Sequence, residues 1–175
     1  MTEDFAHRLP LNQIRDGERI DFAADEGERL KVADRLGLPS IDRLEAHATL
    51  ERKGEMVRVR GRLKAGLCQS CVVTGDPVEA HVDEAFDIYF LPEPSAGGAE
   101  DEIELVESDC DVVFHDGSGI DLGGAIADSL ALGLDPYPRS AGAEAALKEA
   151  GVLTEAEAGP FAALAKLKRS DSDQT

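Results

Sequence analysis

The sequence has few aromatic residues and no long apolar run. Tryptophan is absent and aromatic residues make up 5% of the 175 residues. No stretch reaches the roughly 18 apolar residues that a membrane-spanning helix needs. Residues 1–5 are acidic and lack an apolar core, so we expect no secretory signal. The three cysteines are too few for a disulfide framework, which favours a reducing, cytoplasmic setting.

Basic residues are absent from a long central segment. Residues 65–138 contain no Lys or Arg but 17 Asp and Glu, which accounts for −17 of the net charge of −18. Such a surface repels phosphate and gains no affinity from counterion release, so direct nucleic-acid binding through it is disfavoured. Two interpretations remain: a solvated face that keeps the protein in solution, or a docking face for a basic protein.

The spacing of apolar residues predicts an α+β fold. Alternation over 45–51, 57–64 and 78–90 predicts three strands of an antiparallel meander with one polar face, free to curl toward a barrel. We expect helices at 26–36 and 122–134, the second capped by Asp121, to pack on one face. Short helices at 143–150 and 160–168 complete a single domain over 1–169, with its core in 45–168 and a disordered tail at 170–175.

Cys68 and Cys71 form a CxxC motif at the tip between the second and third predicted strands. Two thiolates at this spacing can share one zinc ion, but a closed site needs four ligands. Cys110, His81 or His115 would have to complete it. A thioredoxin-like redox pair would need a helix after the motif, where the sequence predicts a turn. The remaining interpretation is a hairpin tip whose cysteines only pack.

Four cationic residues alternate along the second predicted strand, so they share its polar face: Arg58, Arg60, Arg62 and Lys64. A stripe of this kind can contact phosphates and bind RNA. The alternative is cross-strand pairing with acidic residues at matching outward positions. Four such residues are available: Glu51, Glu79, Asp83 and Asp87.

Motifs for catalysis are missing. The four histidines are dispersed, and the chain has no phosphate-binding glycine loop, dinucleotide fingerprint or nucleophile elbow. Asp109, Asp111 and Asp116 do not have the spacing of a calcium loop. We therefore predict no active site; the enzymatic alternative is a metal-assisted nuclease built on the cysteines with Asp109 and Asp111.

Three segments resemble the YceD family of bacterial proteins. The first is the Cys68–Cys71 hairpin with its proline-containing turn, followed by a strand that ends in aromatic residues. The second is the Ile120-Asp121-Leu122 start of a helix that closes before Pro136 and Pro138. The third and most specific is Gly159-Pro160-Phe161-Ala-Ala-Leu-Ala-Lys-Leu-Lys168. Many family members carry further cysteines after the helix, where this chain has Pro138-Arg139-Ser140.

The resemblance implies a cytoplasmic, non-enzymatic factor that supports accumulation of 23S ribosomal RNA. Combined with the charge, it predicts that residues 65–138 bind a basic large-subunit ribosomal protein or a ribosomal precursor particle, with an indirect effect on the RNA. The alternatives are direct rRNA binding through the arginine strand, assisted by Lys166, Lys168 and Arg169, and a structural zinc protein. We expect no cofactor, unless zinc occupies the CxxC, and no membrane partner.

Overall fold

The computed structural model describes residues 7–93 and 111–152. In this part of the chain there are seven strands, three α-helices and one turn of 3-10 helix at Leu11–Gln13. In chain order, the strands and helices are β1 (Arg8–Pro10), β2 (Glu18–Ala23), α1 (Glu26–Leu36), β3 (Ser40–Lys53), β4 (Met56–Ser70), β5 (Pro77–Pro92), β6 (Asp111–His115), β7 (Gly119–Asp121), α2 (Leu122–Leu132) and α3 (Ala143–Glu149).

Five of the strands form one sheet in the order β2-β3-β4-β5-β6, and β1 pairs with β7. The predicted α+β class and the order of the three central strands are confirmed, and each of those strands is longer than predicted. Strand β6 pairs parallel to β5, with Ile88 opposite Asp111. The sheet is therefore mixed. The sequence did not predict the parallel pair, because a parallel neighbour needs a long crossover connection that local alternation does not reveal. Among the described strands the sheet remains open, with β2 and β6 at its edges.

Local capping explains both ends of α1 and the start of α2. At α1, Asp25 and Glu28 form a reciprocal capping box, and Gly37 ends the helix in the left-handed conformation at φ 65°. At α2, the Asp121 side chain accepts a hydrogen bond from the Gly124 N–H at 2.9 Å. Helix α1 has the predicted bounds, whereas α2 ends at Leu132, two residues before the predicted end at 134.

The hydrophobic core lies between one face of the sheet and the helices α1 and α2. Inward residues of β3 and β4 alternate with outward polar ones, as period-two spacing requires. The least exposed large core side chains come from both layers and from β7, and they are Leu44, Leu50, Val57, Val59, Leu63, Ile88, Phe90, Val32, Ile120, Leu122, Ile126 and Leu130. The polar face of the sheet is thus the one that points away from this core.

The described residues divide into two compact units. The larger comprises residues 7–69, 79–93 and 111–136 and holds both sheets with α1 and α2. The smaller comprises residues 70–78 and 137–152 and holds the hairpin tip and α3. The single domain over 1–169 stays a prediction. The predicted short strand at 104–106, Cys110, the helix at 160–168 and the tail lie outside the described residues.

Candidate functional site

The cationic stripe lies on the polar face of β4, with β3 on one side and β5 on the other. In the β3–β4 register, Lys64 lies opposite Glu45, Arg62 opposite His47, Arg60 opposite Thr49 and Arg58 opposite Glu51. Acidic side chains of both neighbouring strands therefore come within reach of the stripe, which is the arrangement expected for cross-strand pairs.

Each arginine of the stripe forms an ion pair with an acidic residue. Arg60 binds Glu51 on β3 and Arg62 binds Asp83 on β5. The hydrogen bond between them lowers the pKa of Asp83 and raises the pKa of Arg62. RNA phosphates would have to compete with these carboxylates for the same guanidinium groups.

The pair of Arg58 and Asp87 is the most sheltered of the three. The guanidinium donates two parallel hydrogen bonds, Nε to Oδ1 at 2.8 Å and Nη2 to Oδ2 at 2.5 Å. The Arg58 side chain is 28% exposed, against 50% for the Arg60 side chain. The Arg58 guanidinium also lies over the Tyr89 ring, with Cζ 5.0 Å from the ring centroid. Bidentate geometry and partial burial make this pair a structural element of the sheet.

A groove with a volume of about 420 Å³ opens on the same face, where β2 leaves the sheet. Its polar lining contains Arg43, His47 and Lys64 together with the acidic residues Asp21 and Glu45. Arg43 pairs with Glu45 at 2.5 Å, and its hydrogen bond lowers the pKa of that carboxyl. Lys64 thus faces a mixed surface, in which cations and carboxylates nearly balance.

The part of segment 65–138 that the structure describes contains eleven acidic residues, and all but Asp87 are exposed. Four of the eleven form ion pairs, Asp83, Asp87, Asp116 and Asp128. Six others have no salt bridge within the described residues, and they are Asp76, Glu79, Glu84, Glu93, Asp111 and Asp121. Most of the described negative charge of this segment is therefore exposed to solvent.

The CxxC motif lies at the end of β4, as predicted. Cys68 is partly exposed, and its thiol makes only a weak 3.6 Å contact with the Gln69 carbonyl oxygen. Gln69 itself is buried, and its side-chain amide donates to the Asp135 carbonyl oxygen at 2.9 Å. That hydrogen bond ties the end of β4 to the chain that follows α2, so one interior residue of the motif has a structural role.

Cys71 belongs to the smaller unit, where polar groups surround its sulfur. The Thr74 N–H donates to Sγ at 3.5 Å, and Cys71 is only 3% exposed. Hydrogen bonds from Ser140, and then from Thr74, lower the pKa of the Cys71 thiol from 9.0 to about 6. The sequence missed this arrangement, because Ser140 is 69 residues further along the chain and no local pattern links it to the cysteine.

We expect Cys71 to titrate as a thiolate with a midpoint near pH 6 in the folded protein. Thiolate absorbance at about 240 nm, followed against pH, measures this directly. Ser140→Ala should move the midpoint upward, because the largest stabilising contribution is removed. Since the folded pKa is below the ordinary 9.0, this group's contribution to stability is complete above pH 9 and is lost as pH falls through about 6.

Cys71→Ser should abolish that transition, and Cys68→Ser is the matched control that should leave it in place. A wild-type titration without a transition near pH 6 would contradict the prediction.

The histidines named as further zinc ligands have different surroundings. His115 is buried at the end of β6, with Nε2 2.9 Å from the Glu55 carbonyl oxygen and Nδ1 accepting from the Gly117 N–H at 3.1 Å. Nε2 therefore joins β6 to the β3–β4 turn while Nδ1 holds the loop that follows β6, a role that the sequence did not suggest. His81 is exposed on β5.

Within residues 7–93 and 111–152, no three His, Cys, Asp or Glu side chains are grouped closely enough to hold a metal ion. Cys110 and Asp109 lie outside these residues, so zinc at Cys68 and Cys71 stays a prediction. In the same part of the chain, no helix combines the length and apolarity that crossing a membrane demands.

Together, the fold and these surfaces define an α+β protein whose open sheet carries a cationic stripe with its three arginines in ion pairs and whose central segment is strongly acidic. The family model described as large ribosomal RNA subunit accumulation protein YceD matches residues 59–168. This chain belongs to that family, which confirms the resemblance seen in its motifs. The family description concerns the accumulation of large-subunit ribosomal RNA and names no reaction. No curated protein and no solved structure matches the chain.

Proposed function

We propose that this protein is a non-enzymatic, cytoplasmic ribosome-biogenesis factor that binds a basic large-subunit ribosomal protein through residues 65–138. Membership of the YceD family supports the process, which is accumulation of 23S ribosomal RNA. The observation that carries the binding mode is the 74-residue segment without a cation, of which residues 65–93 and 111–138 expose ten carboxylates.

The electrostatics favour a protein partner over RNA for this segment. Ribosomal proteins of the large subunit are basic, so association would bring opposite charges together and speed encounter. RNA carries the same sign of charge as the segment and would be repelled. In this scheme the factor acts on 23S rRNA indirectly, by delivering or holding a protein that the RNA needs.

The test uses total proteins extracted from purified large subunits and, separately, a 23S precursor transcript, each added to the full-length immobilised protein at about 150 mM salt. We expect capture of one or a few basic proteins, identified by mass spectrometry, and no retention of the transcript. Binding should weaken as salt increases, because surface charges are screened. Tight transcript binding without capture of any large-subunit protein would refute the proposal.

A charge-matched pair of variants makes this test specific. The first replaces Glu79, Glu84 and Asp111 with their amides and should reduce capture at least tenfold. The control neutralises three exposed acidic residues outside the segment, Asp21, Asp34 and Asp42, and should retain capture. Equal losses in both variants would show that only the net charge matters, which contradicts a binding role for residues 65–138.

A second candidate is direct rRNA binding, and the groove lined by Arg43, His47 and Lys64 is the observation that favours it. Lys64 forms no salt bridge within the described residues, so it is the cation of the stripe most available to a phosphate. If this candidate holds, Lys64→Gln should reduce crosslinking to 23S rRNA severalfold and lower the salt dependence of binding. Unchanged crosslinking would rule out the groove as the contact.

A further inference from the structure

An acidic groove of about 260 Å³ lies in the larger unit, between β5, the first residue of β6 and the last turn of α2. Three acidic residues line it, Glu84, Asp87 and Asp111, and none of the residues that line it is cationic. Leu132 and Gly133 of α2 close its other side. We define these residues as the acidic groove.

Two of the three carboxylates are available to a ligand. Glu84 and Asp111 are exposed and have no salt bridge within the described residues, whereas Asp87 is held by Arg58. The end of α2 adds to the negative potential, because the carbonyl groups of a helix C-terminus carry about half a unit of negative charge. The carboxylates of Glu84 and Asp111 and the helix end thus place the same sign of charge around one recess, whereas the Asp87 carboxylate is bound by Arg58 on the polar face of the sheet.

An apolar side chain stands beside these charges. Leu132 is 78% exposed, among the most exposed large hydrophobic residues that the structure describes. Gly133 keeps the helix end close to β5, since a Cβ there would lie 2.8 Å from Val82 Cγ1 and 3.1 Å from Glu84 Cγ. Lysine and arginine pair an aliphatic stem with a cationic head, so this neighbourhood of apolar and acidic groups suits their side chains.

The edge of β5 suits the backbone of a polypeptide. Strand β6 pairs with β5 only from Ile88 onward, and in the described residues no strand pairs with that edge at 84–87. An unpaired edge presents N–H and C=O groups that an extended segment can bind.

We propose that the acidic groove is the docking site for an extended, lysine- or arginine-bearing segment of a basic protein. Its volume is below the roughly 300–1,000 Å³ typical of small-molecule pockets, and it fits one or two side chains. This inference rests on the proposed function and names the part of residues 65–138 that makes contact. The segment's backbone lies along the edge of β5, its cationic heads meet Glu84 and Asp111, and an aliphatic stem covers Leu132.

The test uses the full chain and an acetylated, amidated hexapeptide of alternating lysine and valine, with a glutamate–valine hexapeptide as the negative probe. Affinity is measured by isothermal titration calorimetry, and the bound region by amide chemical-shift changes in NMR. We expect the lysine peptide to bind with its largest shifts at Ala85, Asp111 and Gly133, and the glutamate peptide not to bind.

Variants of equal charge decide whether the groove is the contact. Glu84→Gln with Asp111→Asn should weaken peptide binding at least tenfold, while Glu79→Gln with Glu93→Gln should change it less than twofold. All four residues are exposed acidic residues of the same segment. Equal weakening by both pairs, or shifts centred elsewhere, would overturn the inference.

The same variants separate this inference from the proposed function. If the groove variant captures basic large-subunit proteins as well as the wild-type protein does, the acidic groove is not the contact and the proposed function stands. If the lysine peptide binds at the groove but no large-subunit protein is captured, the groove stands as a site and the ribosomal partner is wrong. Displacement of the lysine peptide by a 23S transcript would overturn the choice of a protein ligand.

Discussion

Gly61→Ala is expected to lower the free energy of unfolding by about 3 kcal/mol, at the upper end of what overpacking costs. Gly61 lies on the core-facing side of β4, opposite Ala48. A Cβ there would collide with the His47 carbonyl oxygen and lie 2.7 Å from Phe86 Cζ and 2.9 Å from Ala48 Cα. Two of these neighbours belong to the β3 backbone, so the strand itself would have to move.

Urea unfolding followed by far-UV circular dichroism measures this effect. The matched control is Gly66→Ala on the same strand, where only the His81 ring comes within 4 Å, at 3.6 and 3.8 Å. We expect the control to stay within about 0.5 kcal/mol of the wild-type protein. If the two variants unfolded at the same urea concentration, the close approach of β3 and Phe86 to Gly61 would be wrong.

Leu130→Ala should cost about 2–5 kcal/mol, whereas Leu132→Ala should cost less than about 0.5 kcal/mol. The two leucines are two residues apart on α2, yet Leu130 is 0% exposed in the core and Leu132 is 78% exposed. Truncating Leu130 leaves a cavity that the packed sheet cannot fill. Thermal unfolding of both variants measures the difference.

Leu132→Ala also serves the docking experiment. Because its stability should match that of the wild-type protein, a severalfold loss of affinity for the lysine–valine peptide would report on contact alone. A large loss of stability in this variant would contradict the position of Leu132 at the surface.

Predictions from the sequence were correct where the interactions that decide the structure join residues close together in the chain or on consecutive strands. The limits of α1 depend on Asp25, Glu28 and Gly37, which act within one turn of the helix, and so the prediction of 26–36 was correct. The ion pairs of the arginine stripe were foreseen because alternation places Asp83 and Asp87 on the polar face of β5. Local spacing and a meander of consecutive strands were enough for both.

Features that depend on distant parts of the chain were missed. The parallel pairing of β6 with β5 follows a connection of 18 residues, from 93 to 110, whose path no local pattern dictates. The low pKa of Cys71 depends on Ser140. The acidic groove brings Glu84 and Asp111 together with the end of α2, three segments that are far apart in sequence.

The sequence alone determined the family, the α+β class, the helix caps and the excess of acidic residues in the central segment. These properties depend on residue identity and on contacts within a few positions. Only the tertiary structure decided which charges are neutralised and which remain available. The β3–β4–β5 pairing places carboxylates against Arg58, Arg60 and Arg62, while Glu84 and Asp111 meet at a groove without a cation. Charge is a property of the chain, but its local balance depends on which strands become neighbours.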